Sequence, residues 1–144
     1  MADQIFKAET KLQQGLAVHC EARGMSFTLD EPPELGGTDT GMNPVEALLS
    51  ALGACKCIVA RAFAKPNKIK LHNVNIVVEG VLDPDGFMGA NPEAKIGFSE
   101  VKTTYHFEAD NTKEELEAFV QFIETHCPVQ DTLSNPATYI SEIA

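Results

Sequence analysis

The chain has 144 residues, of which 44% are hydrophobic and 22% are charged, and its net charge is −10. This length is enough for one domain with a buried core, and the composition is that of a soluble globular protein. We therefore predict a single domain over residues 1–144. The acidic balance argues against nucleic acid and anionic membrane surfaces as partners.

The N-terminal residues predict no export. Residues 1–7 lack the apolar run behind a basic head that marks a signal peptide. Residues 45–64 are long enough to span a bilayer, but they carry Glu46, Lys56 and Arg61 and so favour a buried helix of a soluble protein. A cytoplasmic location is expected, where paired cysteines are more often catalytic or redox-sensing than structural.

The N-terminal part of the chain predicts short strands followed by a loop. Period-two patterns predict strands, and prolines with glycines predict the loop: residues 6–12, 16–22 and 25–29 for the strands and 31–41 for the loop. A long helix begins after Asn43, because Asn43 suits the N-cap, Pro44 the first helical position and Glu46 a capping box. It runs to about Ala64 and is apolar on nearly all faces, as in a helix buried in a core or an interface.

The rest of the chain predicts strands and helices in sequence: strands at residues 74–81 and 101–108, a turn at 83–86, a helix after Thr112, a short helix from Cys127 to about Leu133, and a final strand at 137–143. Thr112 and Glu115 form a second capping box. The order predicts an α+β fold in which antiparallel sheets pack on the long helix.

Cys127 lies directly before Pro128 at the start of a predicted helix. As the cap residue, its sulfur would face unpaired backbone N–H groups and the positive end of the helix dipole. Both stabilise a thiolate, and thiolates at helix starts can have pKa values well below the free value of about 8.5. The local sequence is equally compatible with a small buried residue that fills a corner.

Cys55 lies in the middle of the long helix among apolar residues. Free cysteine is among the most buried residue types, so packing is one interpretation. A nucleophilic role would need a nearby cation or hydrogen-bond donor, and Lys56, Arg61 and Arg23 are the candidate cations. Arg23 alone belongs to the N-terminal strands.

Metal binding is not predicted. The side chain of Cys57 falls about 200° around the helix from Cys55, so the two cannot chelate one zinc ion, and the sequence has no Cys-x-x-Cys motif. We interpret Cys57 and Cys20 as packing residues.

Glu46 is accounted for by the capping box alone. It lies about 13 Å along the helix axis from Cys55 and on the opposite face. Within one chain it cannot touch that sulfur. A catalytic role for Glu46 would therefore require a second subunit or a different thiol.

Three segments resemble the OsmC/Ohr family, the osmotically inducible and organic hydroperoxide resistance proteins. They are residues 30–41, residues 43–55, and residues 126–129 together with Thr132 and Leu133. The spacing of Pro44 and Cys55, combined with Cys-Pro-Val at the second cysteine, is a specific pattern, and the similarity covers most of the chain.

The resemblance implies an intertwined homodimer with active sites at the subunit interface, and an OsmC-like fold whose long central helix carries Cys55. It also implies thiol-dependent reduction of peroxides, in which Cys55 becomes a sulfenic acid and Cys127 condenses with it to a disulfide. This chemistry needs no metal or organic cofactor, and a dithiol reductant restores the thiols by exchange.

Two positions depart from the hydroperoxide-resistance branch of the family. That branch has glutamate directly after the proline, where this chain has Val45 followed by Glu46. It also has an arginine in its first hairpin, where residues 13–16 have none. Arg23 is the candidate substitute, so Arg23 and Glu46 are the candidate pair that tunes the thiol. The Pro-x-Glu pattern is common in the broader OsmC-like group.

The leading hypothesis is a cytoplasmic, homodimeric thiol peroxidase that acts on organic or hydrogen peroxide, with Cys55, Cys127, Arg23 and Glu46 as its catalytic residues. The alternative is an OsmC-like protein that binds a small ligand or responds to redox changes without efficient turnover. A thiol hydrolase or transferase with His126 as its base is a third alternative.

Overall fold

The computed structural model describes residues 2–144. Its elements are strands β1 (Glu9–Leu12), β2 (Val18–Ala22) and β3 (Met25–Leu29), a 3-10 helix (Pro33–Leu35), helix α1 (Pro44–Phe63), strand β4 (Leu71–Leu82), helix α2 (Pro84–Met88), strand β5 (Phe98–Ala109), and helices α3 (Lys113–His126) and α4 (Pro128–Ser134). All strand pairs are antiparallel, which confirms the α+β prediction. The chain forms two compact units that divide after Leu48, and a single domain over 1–144 stays a prediction.

The first unit contains an antiparallel meander in the order β1-β2-β3. Arg23 and Gly24 join β2 to β3 with φ angles of 54° and 83°, and positive φ at both positions is the geometry of a tight two-residue hairpin. β1 is shorter than predicted. Glu9 pairs with Glu21, one residue before the end of β2. The described residues before Glu9 therefore extend beyond β2 and have no strand to pair with in this sheet.

The loop after β3 is organised by the buried carboxylate of Asp30. Its oxygens accept hydrogen bonds from the Glu31 amide at 2.7 Å, the Thr38 hydroxyl at 2.7 Å and the Thr40 hydroxyl at 2.6 Å. The loop passes so close to itself that a Cβ atom at Gly37 would lie 1.9 Å from the Glu31 carbonyl oxygen. These contacts fix the conformation of the loop, whereas its prolines and glycines predicted only that a loop is present.

The second unit contains a long hairpin of β4 and β5, paired from Leu71 opposite Ala109 to Leu82 opposite Phe98. Both strands are longer than predicted, because each finds a partner along its whole length. The predicted turn at residues 83–86 is instead the start of α2, where the Asp83 carboxylate accepts a hydrogen bond of 2.9 Å from the Asp85 amide.

The core of the second unit lies where α1 and α3 meet the hairpin. Its fully buried members share apolar character and come from both helices and the segment after α1: Val59, Ala60, Ala64, Ile69, Phe119 and Ile123. Partly buried side chains of the hairpin pack against them, among them Val74, Tyr105 and Phe107. Close packing at Gly53, where a Cβ would lie 3.2 Å from Val78, also ties α1 to β4.

Within the chain, helix α1 is buried on one face only, and the predicted burial of its remaining apolar surface in an interface stays a prediction. Ile58 is 68% exposed and Phe63 is also exposed, because only one side of the helix packs on the hairpin and α3. Among residues 2–144, no helix combines the length and hydropathy that crossing a membrane requires.

The predicted final strand at residues 137–143 is not formed. Ile140 is 88% exposed and Ile143 is fully exposed. A strand requires a neighbour that completes its backbone hydrogen bonds, and within the described residues this segment joins neither sheet. Apolar side chains that a strand would bury are therefore left in solvent.

Candidate active site

Cys127 forms the corner between α3 and α4. It ends α3 and is the N-cap of α4, with extended backbone angles of φ −88° and ψ 112°. Pro128 follows at the first helical position, and the Gln130 N–H donates a hydrogen bond of 3.4 Å to the Cys127 sulfur. The predicted cap position of Cys127 is confirmed.

Cys55 on α1 meets Cys127 at this corner. Its side chain lies within hydrogen-bonding reach of the Cys127 thiol. The Cys127 side chain is 1% exposed, Cys55 is half-buried, and both are free thiols. The fold therefore brings together two thiols that lie far apart in the chain, and it leaves the Cys55 side more accessible to a small molecule.

The pKa of Cys127 lies above its ordinary value, although the helix-start N–H groups lower it as expected. Burial raises the pKa most, and the neighbouring Cys55 raises it further. The N–H groups of Gln130 and Val129 act in the opposite direction. Removal from water disfavours the charged form more strongly than two backbone donors favour it.

A charged cluster with a buried lysine lies beside the two cysteines. Lys56 is 1% exposed, and its Nζ donates to Glu124 Oε2 at 2.8 Å and to Thr103 Oγ1 at 3.1 Å. The Tyr105 hydroxyl donates to Glu124 Oε1 at 2.7 Å. Burial, followed by the bond to Glu124, raises the pKa of Tyr105 well above its ordinary value, with smaller contributions from Cys127 and Cys57.

A cavity of about 370 Å³ opens next to this cluster. Its polar lining consists of Lys56, Thr103, Glu124, Gln130 and Ser134, and apolar side chains complete it: Leu52, Val101 and Leu133. Gln130 lines the cavity, and its backbone N–H also donates a hydrogen bond to the Cys127 sulfur. Gln130 is therefore a direct neighbour of both the cavity and Cys127.

From the sequence, Lys56 was predicted only as a candidate cation for Cys55. Its partners Glu124 and Thr103, and the neighbouring Tyr105, were not predicted to belong to the site. A signal was present, because a lysine interrupts an otherwise apolar helix face and a buried lysine requires a partner. The identity of that partner depends on how α3 and β5 pack, which spacing along the chain does not reveal.

Arg23 and Glu46 both belong to the first unit. Arg23 is exposed in the β2–β3 turn and lines a groove of about 770 Å³ with residues 4–9 of the N-terminal segment. Glu46 completes the predicted capping box of α1: its Oε1 accepts from the Asn43 amide at 2.9 Å, and Asn43 Oδ1 accepts from the Glu46 amide at 2.9 Å.

His126 is held on its own helix. Its ring stacks on Phe122 with centroids 3.9 Å apart, and its Nδ1 lies 2.7 Å from the Phe122 carbonyl oxygen. Nδ1 also lies 3.1 Å from Thr125 Oγ1, so both contacts of this nitrogen are made within α3.

The remaining cysteines have separate surroundings. Cys57 is half-buried in the second unit, and burial raises its pKa, whereas Cys20 is buried on β2 of the first unit, with its sulfur 4.0 Å from the Val18 carbonyl oxygen. Across residues 2–144, no group of three or more His, Cys, Asp or Glu side chains is arranged to hold a metal ion.

A family model described as OsmC-like protein matches residues 37–142. The chain belongs to the OsmC-like protein family. This match includes α1 with Cys55 and the corner with Cys127, the two positions at which the resemblance was most specific.

Individual relatives and solved structures match nearly the whole chain. A hydroperoxide reductase of Mycoplasma genitalium is 25% identical over 138 residues, which cover 95% of this chain and 92% of the relative. The crystal structure of an OsmC-like protein from Mycoplasma pneumoniae superposes with a TM-score of 0.80 at 23% identity, covering 94% of this chain and 91% of the other. An organic hydroperoxide resistance protein of Legionella pneumophila gives a TM-score of 0.67 at 26% identity, covering 94% and 93%. The fold is therefore OsmC-like.

Proposed function

We propose that this protein is a thiol-dependent peroxidase that reduces organic hydroperoxides or hydrogen peroxide. The observation that carries the proposal is the approach of the Cys55 and Cys127 thiols at one corner of an OsmC-like fold. The names of the Mycoplasma hydroperoxide reductase and the Legionella organic hydroperoxide resistance protein support the same substrate class.

The proposed reaction begins at Cys55, because its side chain is the more accessible of the two. The Cys55 thiolate attacks one oxygen of the peroxide, the O–O bond breaks, and the protonated remainder leaves as an alcohol or as water. Cys55 is thereby oxidised to a sulfenic acid, which is the first step of the cysteine oxidation ladder.

The second step uses Cys127. Its sulfur attacks the Cys55 sulfenic acid, an S–S bond forms, and the hydroxyl leaves as water with the thiol proton. A dithiol reductant then restores both thiols by exchange and is itself oxidised to a disulfide. The electrons come from thiols throughout, so the proposed cycle requires no metal or organic cofactor.

We also propose that the protein acts as a homodimer. The exposed apolar side chains support this: Ile58 on α1, with Tyr139, Ile140 and Ile143 in the extended C-terminal segment. A second copy that pairs with this segment would complete its backbone hydrogen bonds and remove apolar surface from water. In such a dimer, Arg23 and Glu46 are the residues we propose to tune a thiol of the partner subunit.

A cytoplasmic location agrees with the proposed cycle, because thiols stay reduced there between turnovers. Light scattering at several protein concentrations tests the dimer, and a mass of one chain at every concentration would contradict it.

One equivalent of cumene hydroperoxide added to the reduced protein tests the peroxidase proposal. The expected product is a protein lighter by two hydrogen atoms, in which peptide mapping finds Cys55 linked to Cys127. With dithiothreitol present, peroxide should be consumed continuously, and Cys55→Ser should abolish this. Full activity of Cys55→Ser would refute the proposal, and unreacted wild-type thiols would favour an OsmC-like ligand-binding protein.

A further inference from the structure

The ion pair between the buried Lys56 and the half-buried Glu124 joins the two helices that carry the thiols. Lys56 directly follows Cys55 on α1, and Glu124 lies on the last turn of α3, just before Cys127. Their charged atoms, Nζ and Oε2, are 2.8 Å apart. This contact is therefore a direct link between the helix of one thiol and the helix end of the other.

The pair is held from both sides. Lys56 also donates to Thr103 on β5, and Glu124 also accepts from Tyr105 on the same strand. Three elements are thus fixed at one point by hydrogen bonds with defined directions. An apolar side chain of similar volume often stabilises a fold as well as a buried charged one that is paired, so fold stability alone does not account for a lysine that is 1% exposed.

We propose that the Lys56–Glu124 ion pair is a positioning device for the Cys55–Cys127 disulfide. It holds α1 and the end of α3 at the separation at which the two sulfurs meet. A disulfide forms without strain only within a narrow range of Cα separations and side-chain directions, and directional bonds next to both cysteines confine the helices to that range. The inference rests on the proposed function because it takes this disulfide as the redox step.

The test measures the effective concentration of the two thiols in buffers of reduced and oxidised glutathione. In this equilibrium, one oxidised glutathione and the protein dithiol give the protein disulfide and two reduced glutathione molecules. Lys56→Met and Glu124→Gln should each lower the effective concentration by about tenfold or more, since small misplacements of reacting groups have large effects. An unchanged value in both folded variants overturns the inference.

The exposed pair Lys113–Glu117 on α3, with 4.0 Å between its charged atoms, is the matched control. Lys113→Met and Glu117→Gln should leave the effective concentration at the wild-type value. An equal loss in these control variants would mean that any change of charge on α3 has the effect, and it would overturn the assignment to Lys56 and Glu124.

The double variant Lys56→Met/Glu124→Leu separates positioning from stability, because it leaves no unpaired buried charge. Positioning predicts a folded protein with a lowered effective concentration. A purely structural pair would lower the unfolding free energies of the reduced and oxidised forms equally and leave the effective concentration unchanged, which refutes positioning. If the wild-type protein forms no Cys55–Cys127 disulfide in oxidised glutathione, the proposed function fails and this inference fails with it.

Discussion

The backbone N–H of Gln130 donates a hydrogen bond to the Cys127 sulfur, yet the pKa of that thiol lies above its ordinary value. The hydrogen bond favours a thiolate, whereas burial and the adjacent Cys55 disfavour it. A protonated thiol is a poor nucleophile. In the proposed cycle, the raised pKa favours Cys127 as the thiol that reacts with the Cys55 sulfenic acid and not with the peroxide.

We predict that Cys127→Ser stops the reaction at the first step. One equivalent of peroxide should add a single oxygen atom to Cys55. The resulting sulfenic acid should persist, because the variant lacks the Cys127 thiol that would convert it to a disulfide with loss of water. Mass spectrometry after trapping with dimedone measures this product. Cys20→Ser is the control, since the Cys20 thiol takes no part in the proposed reaction, and this variant should form the disulfide as the wild-type protein does. Unmodified Cys55 in Cys127→Ser would contradict the prediction.

We predict that the reduced protein loses stability at alkaline pH. Burial raises the pKa values of Cys127 and Cys57 in the folded state, so folding favours the neutral thiols. Their contribution is fully present below the unfolded thiol pKa of about 8.5 and is lost as the pH rises through the folded values.

Urea unfolding between pH 7 and pH 10 measures this loss. Cys127→Ala should show a shallower decline than the wild-type protein, and the oxidised protein should do the same because its Cys127 has no proton to lose. Identical slopes for all three forms would refute a raised pKa at Cys127.

We predict that the Asp30 loop depends on the charge of its carboxylate. Hydrogen bonds from Thr40, Thr38 and Glu31 lower the pKa of Asp30, so its contribution to stability is fully present above the unfolded value of about 3.9 and is lost as the pH falls through the folded value. Asp30→Asn should destabilise the protein at neutral pH, because an amide NH₂ would face hydrogen-bond donors. It should also weaken the dependence of unfolding on acid pH, and an unchanged dependence would argue against the prediction.

We predict that Phe119→Ala costs about 3–5 kcal/mol of unfolding free energy, the usual range for a buried phenylalanine. Phe119 is almost wholly buried among the core side chains of α1 and the hairpin. The control is Phe87→Ala on α2, where the ring is exposed and the change should stay within about 0.5 kcal/mol. Chemical denaturation of both variants measures the difference, and equal losses would place the core elsewhere.

Local signals predicted the helix starts well. The capping boxes of Asn43 with Glu46 and of Thr112 with Glu115 are formed as expected, because the interacting groups lie within four residues of each other. Cys127 was placed correctly at the cap of α4 for the same reason. None of these features depends on how the helices pack.

Strand lengths and exposure were harder to predict, because each depends on a neighbour. β4 and β5 extend one another beyond the predicted limits, whereas residues 137–143 were predicted as a strand and find no partner in the described chain. The exposure of one face of α1 could not be predicted for the same reason. An apolar pattern shows that a helix face can be buried, but it does not identify the element that buries it.

The sequence by itself was enough to predict the fold class, the family and the candidate cysteines Cys55 and Cys127. Helix caps, hydrophobic periodicity and motif spacing depend on residues that are close together in the chain. Only the tertiary structure decided that burial at the Cys127 corner outweighs the helix N-terminus, and that Lys56 pairs with Glu124. Both outcomes depend on side chains that are distant in the sequence and become neighbours in the fold. These side chains bury each other, and exclude water, only once the helices and strands have packed.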